Sequence, residues 1–330
     1  ADNLLFTTSI GISIRLYPAN AANFIELSLK HSSSEAFFNA LLHQPGHSFN
    51  NHPSEAAYFE QIGLSFIPPA IRESAAVIEK CRMAATPVFI QPADIKGIIH
   101  CHSNWSDGSN TLEEMATECI KRGWEYMVIS DHSQTAFYAN GLKEDRIREQ
   151  HRQIDQLNQQ LTPFRVFKSI ESDILNDGSL DYPEEVLKTF DLVIASVHSN
   201  LGMSEEKANA RLIKAIENPY TRILGHMTGR LLLSRNGYPV DHRLIIDACA
   251  ANNVVIELNA HPRRLDIDWR WIPYALDKEV LLSINPDAHA MDGFDDVKYG
   301  VLAAQKGGMT VKSNLSSFTL PEFEAFLRNK

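Results

Sequence analysis

From residue 96 onward, short apolar and β-branched runs alternate with stretches whose apolar positions recur every three or four residues. The runs are GIIHCHS (97–103), YMVISDH (126–132), FRVFKSIESDI (164–174), LVIASVHS (192–199), RILGHMT (222–228), VVIELNA (254–260) and VLLSINPDAH (280–289). Each reads as a strand, and the stretches between them predict helices near 110–122, 143–160, 204–217, 241–252 and 293–306. The strands are apolar on both faces, as in a parallel sheet covered by helices. Seven such units suit an α/β barrel similar to the eight-unit type with one unit absent.

Residues 1–90 follow a different pattern. LLFTTSIGISIRLYP holds β-like segments, and ANFIELSLKHSSSEAFFNALL joins helical spacing to a Ser-rich turn. HQPGHSFNNHPSEA is a loop that ends in a helix N-cap at Ser54. LSFIPPAIRES carries a Pro pair that interrupts regular structure, and ATPVFIQPADIK reads as a tether. The chain therefore divides into a small α+β region, 1–90, and a barrel, 91–330.

Composition narrows the classes. With 330 residues, 44% hydrophobic and 22% charged, the chain suits a soluble globular protein with one large domain and one smaller one. No apolar run approaches the length of a membrane span. The start, ADNLLFTTSIG, has neither a basic segment with an apolar core nor an initiator Met, so it reads as part of a longer chain rather than a signal peptide. Cys81, Cys101, Cys119 and Cys249 show no framework spacing and read as reduced thiols of a cytoplasmic protein. The net charge of -10 argues against a general nucleic-acid coat and leaves room for a local basic groove.

The candidate chemistry sits at the strand ends. Of 13 histidines, His100, His102, His132, His198, His226 and His289 all fall there, joined by Glu171 and Asp287. In α/β barrels the C-terminal strand ends form the active face. Residues i and i+2 of a strand share a face, so His100 and His102 point together and Cys101 turns into the core. Imidazoles mixed with carboxylates on one rim suit Zn²⁺, Mn²⁺ or Fe. Glu257 and Asp131 read as hydrogen-bond supports for that site rather than ligands. Asp173, two residues past Glu171, stays an alternative ligand.

HCHSNWSDG, SDH, IESDI, SVHS, GHMTGRLLLSR, ELNAHPRRLD and NPDAH resemble, in order, the motifs of the PHP (polymerase and histidinol phosphatase) superfamily. The likeness is to the PHP domain of bacterial family X DNA polymerases in particular, over residues 94–330. That resemblance implies a distorted (β/α)7 barrel with three divalent metal ions. His100, His102, Glu171 and Asp287 would bind the first, with Glu171, His198 and His226 on the second and Asp107, His132 and His289 on the third. Glu171, Asp287 and His198 would carry the catalysis. Arg230, Arg263 and Arg264 follow ligand-bearing strands and are expected to hold phosphate.

Residues 1–85 resemble the last palm strands and thumb of family X polymerases, with Arg15 where the family has a catalytic Asp. An arginine cannot hold the Mg²⁺ ions of nucleotidyl transfer, so no polymerase chemistry is expected of this chain, and the region reads as a scaffold. The resemblance implies a metal-dependent phosphoesterase that trims DNA 3′ ends as a 3′-5′ exonuclease. The alternatives are a phosphomonoesterase of phosphorylated small molecules, like the histidinol phosphatases, and a non-catalytic metal-stabilised module of a polymerase. No membrane partner is expected, and the sequence does not fix the oligomeric state.

Overall fold

The computed structural model describes residues 4–50, 52–83 and 87–328. The first three residues of the chain and part of the 85–96 tether lie outside the described residues. The chain forms two compact units, Ala1–Val88 and Phe89–Lys330.

In the first unit, β1 (Leu4–Thr7) and β2 (Ser13–Leu16) form an antiparallel hairpin in which Leu4 faces Leu16. Among the described residues, four helices follow: α1 (Phe24–His31), α2 (Glu35–Leu42), α3 (Glu55–Gln61) and α4 (Ala76–Met83). Ser34 caps α2, and Ser54 caps α3 at the residue where the sequence predicts it. Leu29, Phe37, Leu41, Tyr58, Phe59 and Ile67 are fully buried around Arg72. That guanidinium donates to Ile67 O and Ser32 Oγ and pairs with Glu55, which is how a charge survives at 0% exposure.

The second unit is a single sheet of seven parallel strands in chain order. They are β3 (Gly97–Cys101), β4 (Tyr126–Ile129), β5 (Arg165–Asp173), β6 (Leu192–Ser196), β7 (Thr221–Leu224), β8 (Val255–Asn259) and β9 (Leu282–Asn285). A parallel bridge between Cys101 and Ala288 brings the two edges together, and His102 N donates to Ala288 O at 2.8 Å. The helices are α5 (Leu112–Lys121), α6 (Glu144–Gln160), α7 (Glu184–Leu187), α8 (Glu205–Ile216), α9 (His242–Asn252), α10 (Ile272–Asp277), α11 (Val297–Lys306) and α12 (Leu320–Arg328).

Alternation along the strands sorts the apolar side chains into two sets. Ile98, Met127, Ile129 and Val166 pack outward with Met115 of α5 and Ile154 of α6. Ile99, Tyr126, Val128, Phe167, Ile194, Ile223 and Val255 fill the interior. Gly97 is required there, because any Cβ would lie 2.2 Å from the Tyr126 ring.

The interior is closed by a helix absent from the sequence-based expectation. Phe323 of α12 is fully buried, stacks on Tyr126 at 4.5 Å and meets Phe167 at 5.0 Å. Truncating it leaves a cavity under the whole barrel. Phe323→Ala is expected to cost about 3–5 kcal/mol, read as a lower urea midpoint at unchanged slope. A cost under about 1 kcal/mol would mean that α12 is peripheral to the barrel.

Candidate metal centre

The local backbone builds the site in a way that simple alternation does not anticipate. Ile99 pairs with Val128 and Cys101 with Ile129, so His100 is skipped by the ladder and sits in the left-handed region at φ 63°. This bulge turns the His100 ring into the centre, and His102 follows from just beyond the strand. Cys101 packs into the outer core, as predicted, beside Met115 and Cys119. The expected strands around His226 and Asp287 also end early, at Leu224 and Asn285, and Asp287 takes a φ of 53°. Those two residues stand on loops.

The loop carrying Asp107 is held by Asp131. Its buried carboxylate accepts from Ser103 N and Oγ, from Ser106 N and Oγ, and from Gln150 Nε2 at 2.6 Å. The loop turns so tightly that a Cβ on Gly108 would lie 2.1 Å from His102 O.

Glu171, fully buried at the end of β5, is the hub. Its Oε1 accepts from His226 Nε2 at 2.9 Å and lies 3.1 Å from His198 Nε2 and 3.2 Å from His100 Nε2. Its Oε2 lies 3.0 Å from His132 Nδ1 and 3.7 Å from His102 Nε2. Asp287 Oδ1 lies 3.2 Å from His102 Nε2 and 3.5 Å from His100 Nε2. Asp107 Oδ1 stands 3.4 Å from His289 Nε2 and 3.7 Å from His132 Nε2. The His102 ring stacks between those of His132 at 4.3 Å and His289 at 4.2 Å.

These atoms fit divalent cations better than they fit one another. His100 Nε2, His132 Nδ1 and Glu171 Oε2, all at the centre, are buried without a hydrogen bond, an expensive condition for polar atoms. The donor atoms gather into three overlapping groups: His100, His102 and Asp287; His132, Glu171 and His198; and His102, Asp107, His132 and His289. Burial works to raise the Glu171 pKa, but the imidazoles of His198, His100 and His132 reverse it and hold the carboxyl well below its usual range. Burial, helped by His132 and His289, pushes His102 down to about 3, so its ring is neutral and has a lone pair to offer. Three carboxylates among six imidazoles form a divalent-metal site by donor chemistry alone.

Residues 99–261 match the PHP domain family. This stretch of the chain is a PHP domain. The chain is 43% identical over 276 residues to the DNA polymerase/3'-5' exonuclease PolX of Bacillus subtilis, covering 84% of this chain and 48% of that protein. It thus spans about half the length of that relative. A probable phosphatase of Caldicellulosiruptor bescii is 30% identical over 172 residues, covering 48% of this chain and 63% of the relative. Among solved structures, the histidinol phosphate phosphatase of Lactococcus lactis, complexed with zinc, L-histidinol and phosphate, aligns with a TM-score of 0.50 at 17% identity. That alignment covers 65% of this chain and 94% of the neighbour, and it supports the barrel fold.

In this PHP domain the two carboxylates in question take the outer nitrogens of the histidines. Glu257 Oε1 lies 2.5 Å from His100 Nδ1, and its Oε2 accepts the backbone N–H of His226 at 2.7 Å. Asp173 bonds His198 Nδ1 and accepts from Thr135 Oγ1 at 3.0 Å. Each fixes which imidazole nitrogen faces inward. Asn259 and Asn285, absent from the sequence reading, donate to Glu257, and Asn259 also donates to Asp287 Oδ2 at 3.0 Å.

The three arginines separate. Arg264 Nε lies 3.3 Å from Asp287 Oδ2, at the centre itself. Arg263 is exposed on the same loop. Arg230 turns away from the expected phosphate position. It donates to Arg264 O and Leu265 O and pairs with Asp268 Oδ2 at 2.7 Å, so its guanidinium organises the loop that carries Arg264. Two aromatic residues outside the sequence motifs, Phe137 and Tyr138 in TAFYANG after β4, are 86% and 63% exposed. Desolvation, with the carboxylates of Asp173, Glu171 and Asp107, raises Tyr138 to about 12, and its ring centroid lies 6.5 Å from that of His132.

Glu257→Gln is expected to weaken divalent-ion binding about tenfold to a hundredfold while the far-UV circular dichroism stays unchanged. Competition with a metal indicator dye measures this. Unaltered affinity would mean that Glu257 serves packing alone.

Proposed function

We propose that this chain is a metal-dependent phosphoesterase that removes nucleotides from DNA 3′ ends. The observation that carries the reading is a buried set of imidazoles and carboxylates with unpaired donor atoms, beside a guanidinium at its rim. The 43% identity to a DNA polymerase/3'-5' exonuclease supports a polynucleotide as the substrate.

In this reading the centre holds three divalent ions, of the Zn, Mn or Fe type. His100, His102, Glu171 and Asp287 hold the first; Glu171, His198 and His226 the second; Asp107, His132 and His289 the third. When bound, the ions supply Lewis acidity toward the phosphoester. The protein keeps the protons in place: Glu257 holds one on His100 Nδ1 and Asp173 one on His198 Nδ1, which leaves each Nε2 facing inward. Arg264 offers charged donors to a non-bridging phosphate oxygen from its position beside Asp287. The small-molecule phosphomonoesterase is the second reading, favoured by the net charge of -10 and by the probable phosphatases among the relatives.

Comparing hydrolysis of a 5′-labelled oligonucleotide with that of a phosphomonoester panel, both with Mn²⁺, separates the two. Stepwise 3′ shortening is expected, and turnover of monoesters alone would favour the second reading. Arg264→Ala should lower kcat/KM on the oligonucleotide about tenfold to a hundredfold and flatten its salt dependence, at unchanged metal content. An unchanged rate and salt slope would remove Arg264 from substrate binding.

Arg15 lies exposed on β2, where the resemblance to family X polymerases implies a carboxylate. The first unit therefore acts as a scaffold, and no template-directed incorporation of dNTPs is expected in a primer-extension assay. Detectable incorporation would contradict that assignment.

A further inference from the structure

Beside the centre lies a cleft of about 690 Å³, lined by Thr135, Phe137, Tyr138, Asn176, Asp177 and His198, among others. Asp173 and His198 line this cleft and also belong to the centre, so a group that fills it adjoins a phosphate bound there. Its volume is in the range of small-ligand sites. Its far wall carries Asp177, which pairs with Lys214 at 3.0 Å, and Asn176, whose Oδ1 accepts from Asn200 at 2.8 Å. With Asp173 at the other side and no Lys or Arg among the described residues of its lining, the cleft suits a neutral group better than a second phosphate.

Phe137 and Tyr138 supply the surface for that group. Their rings stand 6.0 Å apart, nearly perpendicular, and both are largely exposed. Exposed neighbouring aromatics suit a floppy loop poorly, and this loop is anchored. Leu142 N donates to His132 O at 2.8 Å, Gln134 N to Tyr182 Oη at 3.0 Å, and Arg146 to Asn140 O at 2.8 Å. Asn140 in turn reaches Trp105 O and Ser106 O, each at 3.2 Å. A Cβ on Gly141 would lie 1.9 Å from Ser133 O, so the turn admits glycine alone. The rings are thus presented before any ligand arrives, which lowers the entropic cost of stacking on them.

The ring of strands also sets a direction. The cleft residues follow β4, β5 and β6, whereas Arg263 and Arg264 follow β8, on the other side of the rim. We infer that the cleft receives the 3′-terminal nucleoside of a DNA strand, its base packed against Phe137 and Tyr138, face-on to one ring and edge-on to the other, while the preceding backbone runs across Arg264 and Arg263. The inference rests on the exonuclease reading and adds the polarity and the base contact. Every base has a stacking face, so the cleft grips the terminal unit without reading sequence.

The test compares kcat/KM on two 5′-labelled strands that differ only at the 3′ end, one with a terminal thymidine and one with a terminal abasic residue, with Mn²⁺. The parent should cleave the thymidine end about tenfold to a hundredfold faster, the range that loss of one stacked base implies. Phe137→Ala combined with Tyr138→Ala should bring the thymidine end down to the abasic rate. The abasic end offers nothing to stack and should keep its parental rate, and Tyr138→Phe should retain the preference. A double variant that keeps the full preference overturns the cleft assignment and leaves the exonuclease reading standing. A double variant that slows both ends equally overturns it too, because the aromatics would then be acting on the centre. A parent that shortens neither strand removes the exonuclease reading and this inference with it.

Discussion

One buried carboxylate organises the barrel mouth. Glu171 is fully enclosed, and imidazoles from the ends of β3, β4, β6 and β7 converge on its two oxygens. Burying a carboxylate is costly unless opposite charge and donors surround it. Part of that compensation comes from protons: against the pull of burial, Glu171 and Asp173 raise His198 to about 10, and at the rim Asp107 and Asp287 raise His289 to about 9. Divalent cations meet the same need with more charge in less space. The unpartnered His100 Nε2, His132 Nδ1 and Glu171 Oε2 at the centre are the structural mark of a pocket shaped for them.

Much of the surrounding structure serves this cluster. His100 and Asp287, on adjacent edges of the closed ring, both adopt left-handed backbone, a conformation that costs about 1–3 kcal/mol at a non-glycine residue. The barrel tolerates them because the neighbouring contacts are fixed: Glu257 clamps His100 and the His226 amide together, and Asn259 joins Glu257 to Asp287. Below, Phe323 and Tyr126 fill the interior so that the strands cannot collapse inward. Above, Asp131 fixes the loop of Asp107, and Arg230 fixes the loop of Arg264. A charged site held this tightly is preorganised, which is what catalysis by charge stabilisation needs.

The barrel strands were legible because each is a short apolar run ended by a turn signal, and the histidines stood out because six gather at those ends. Strand alternation predicted that His100 and His102 share a side. They do, but through a bulge at His100 that a strict two-residue period does not contain. Arg230 shows the opposite limit: position after a histidine-bearing strand does not reveal that Asp268 and two carbonyls engage its guanidinium. Asn259 and Asn285 were invisible because an amide on a strand has no signature until its partner across the sheet is known. Phe137 and Tyr138 were readable in principle, as adjacent aromatics in a polar loop. Helix α12 escaped notice because its short apolar pattern near the chain end matches the plug of a barrel only once the barrel exists.

The central claim is that Glu171 and its neighbours exist to hold divalent cations. Anomalous diffraction from crystals grown with Mn²⁺, with data collected on both sides of the metal edge, tests it most directly. Three peaks are predicted, all within bonding distance of the nine proposed ligand residues, with Glu171 touching two of them. A map with no peak beside Glu171, at full occupancy of the protein and excess metal, would contradict the account.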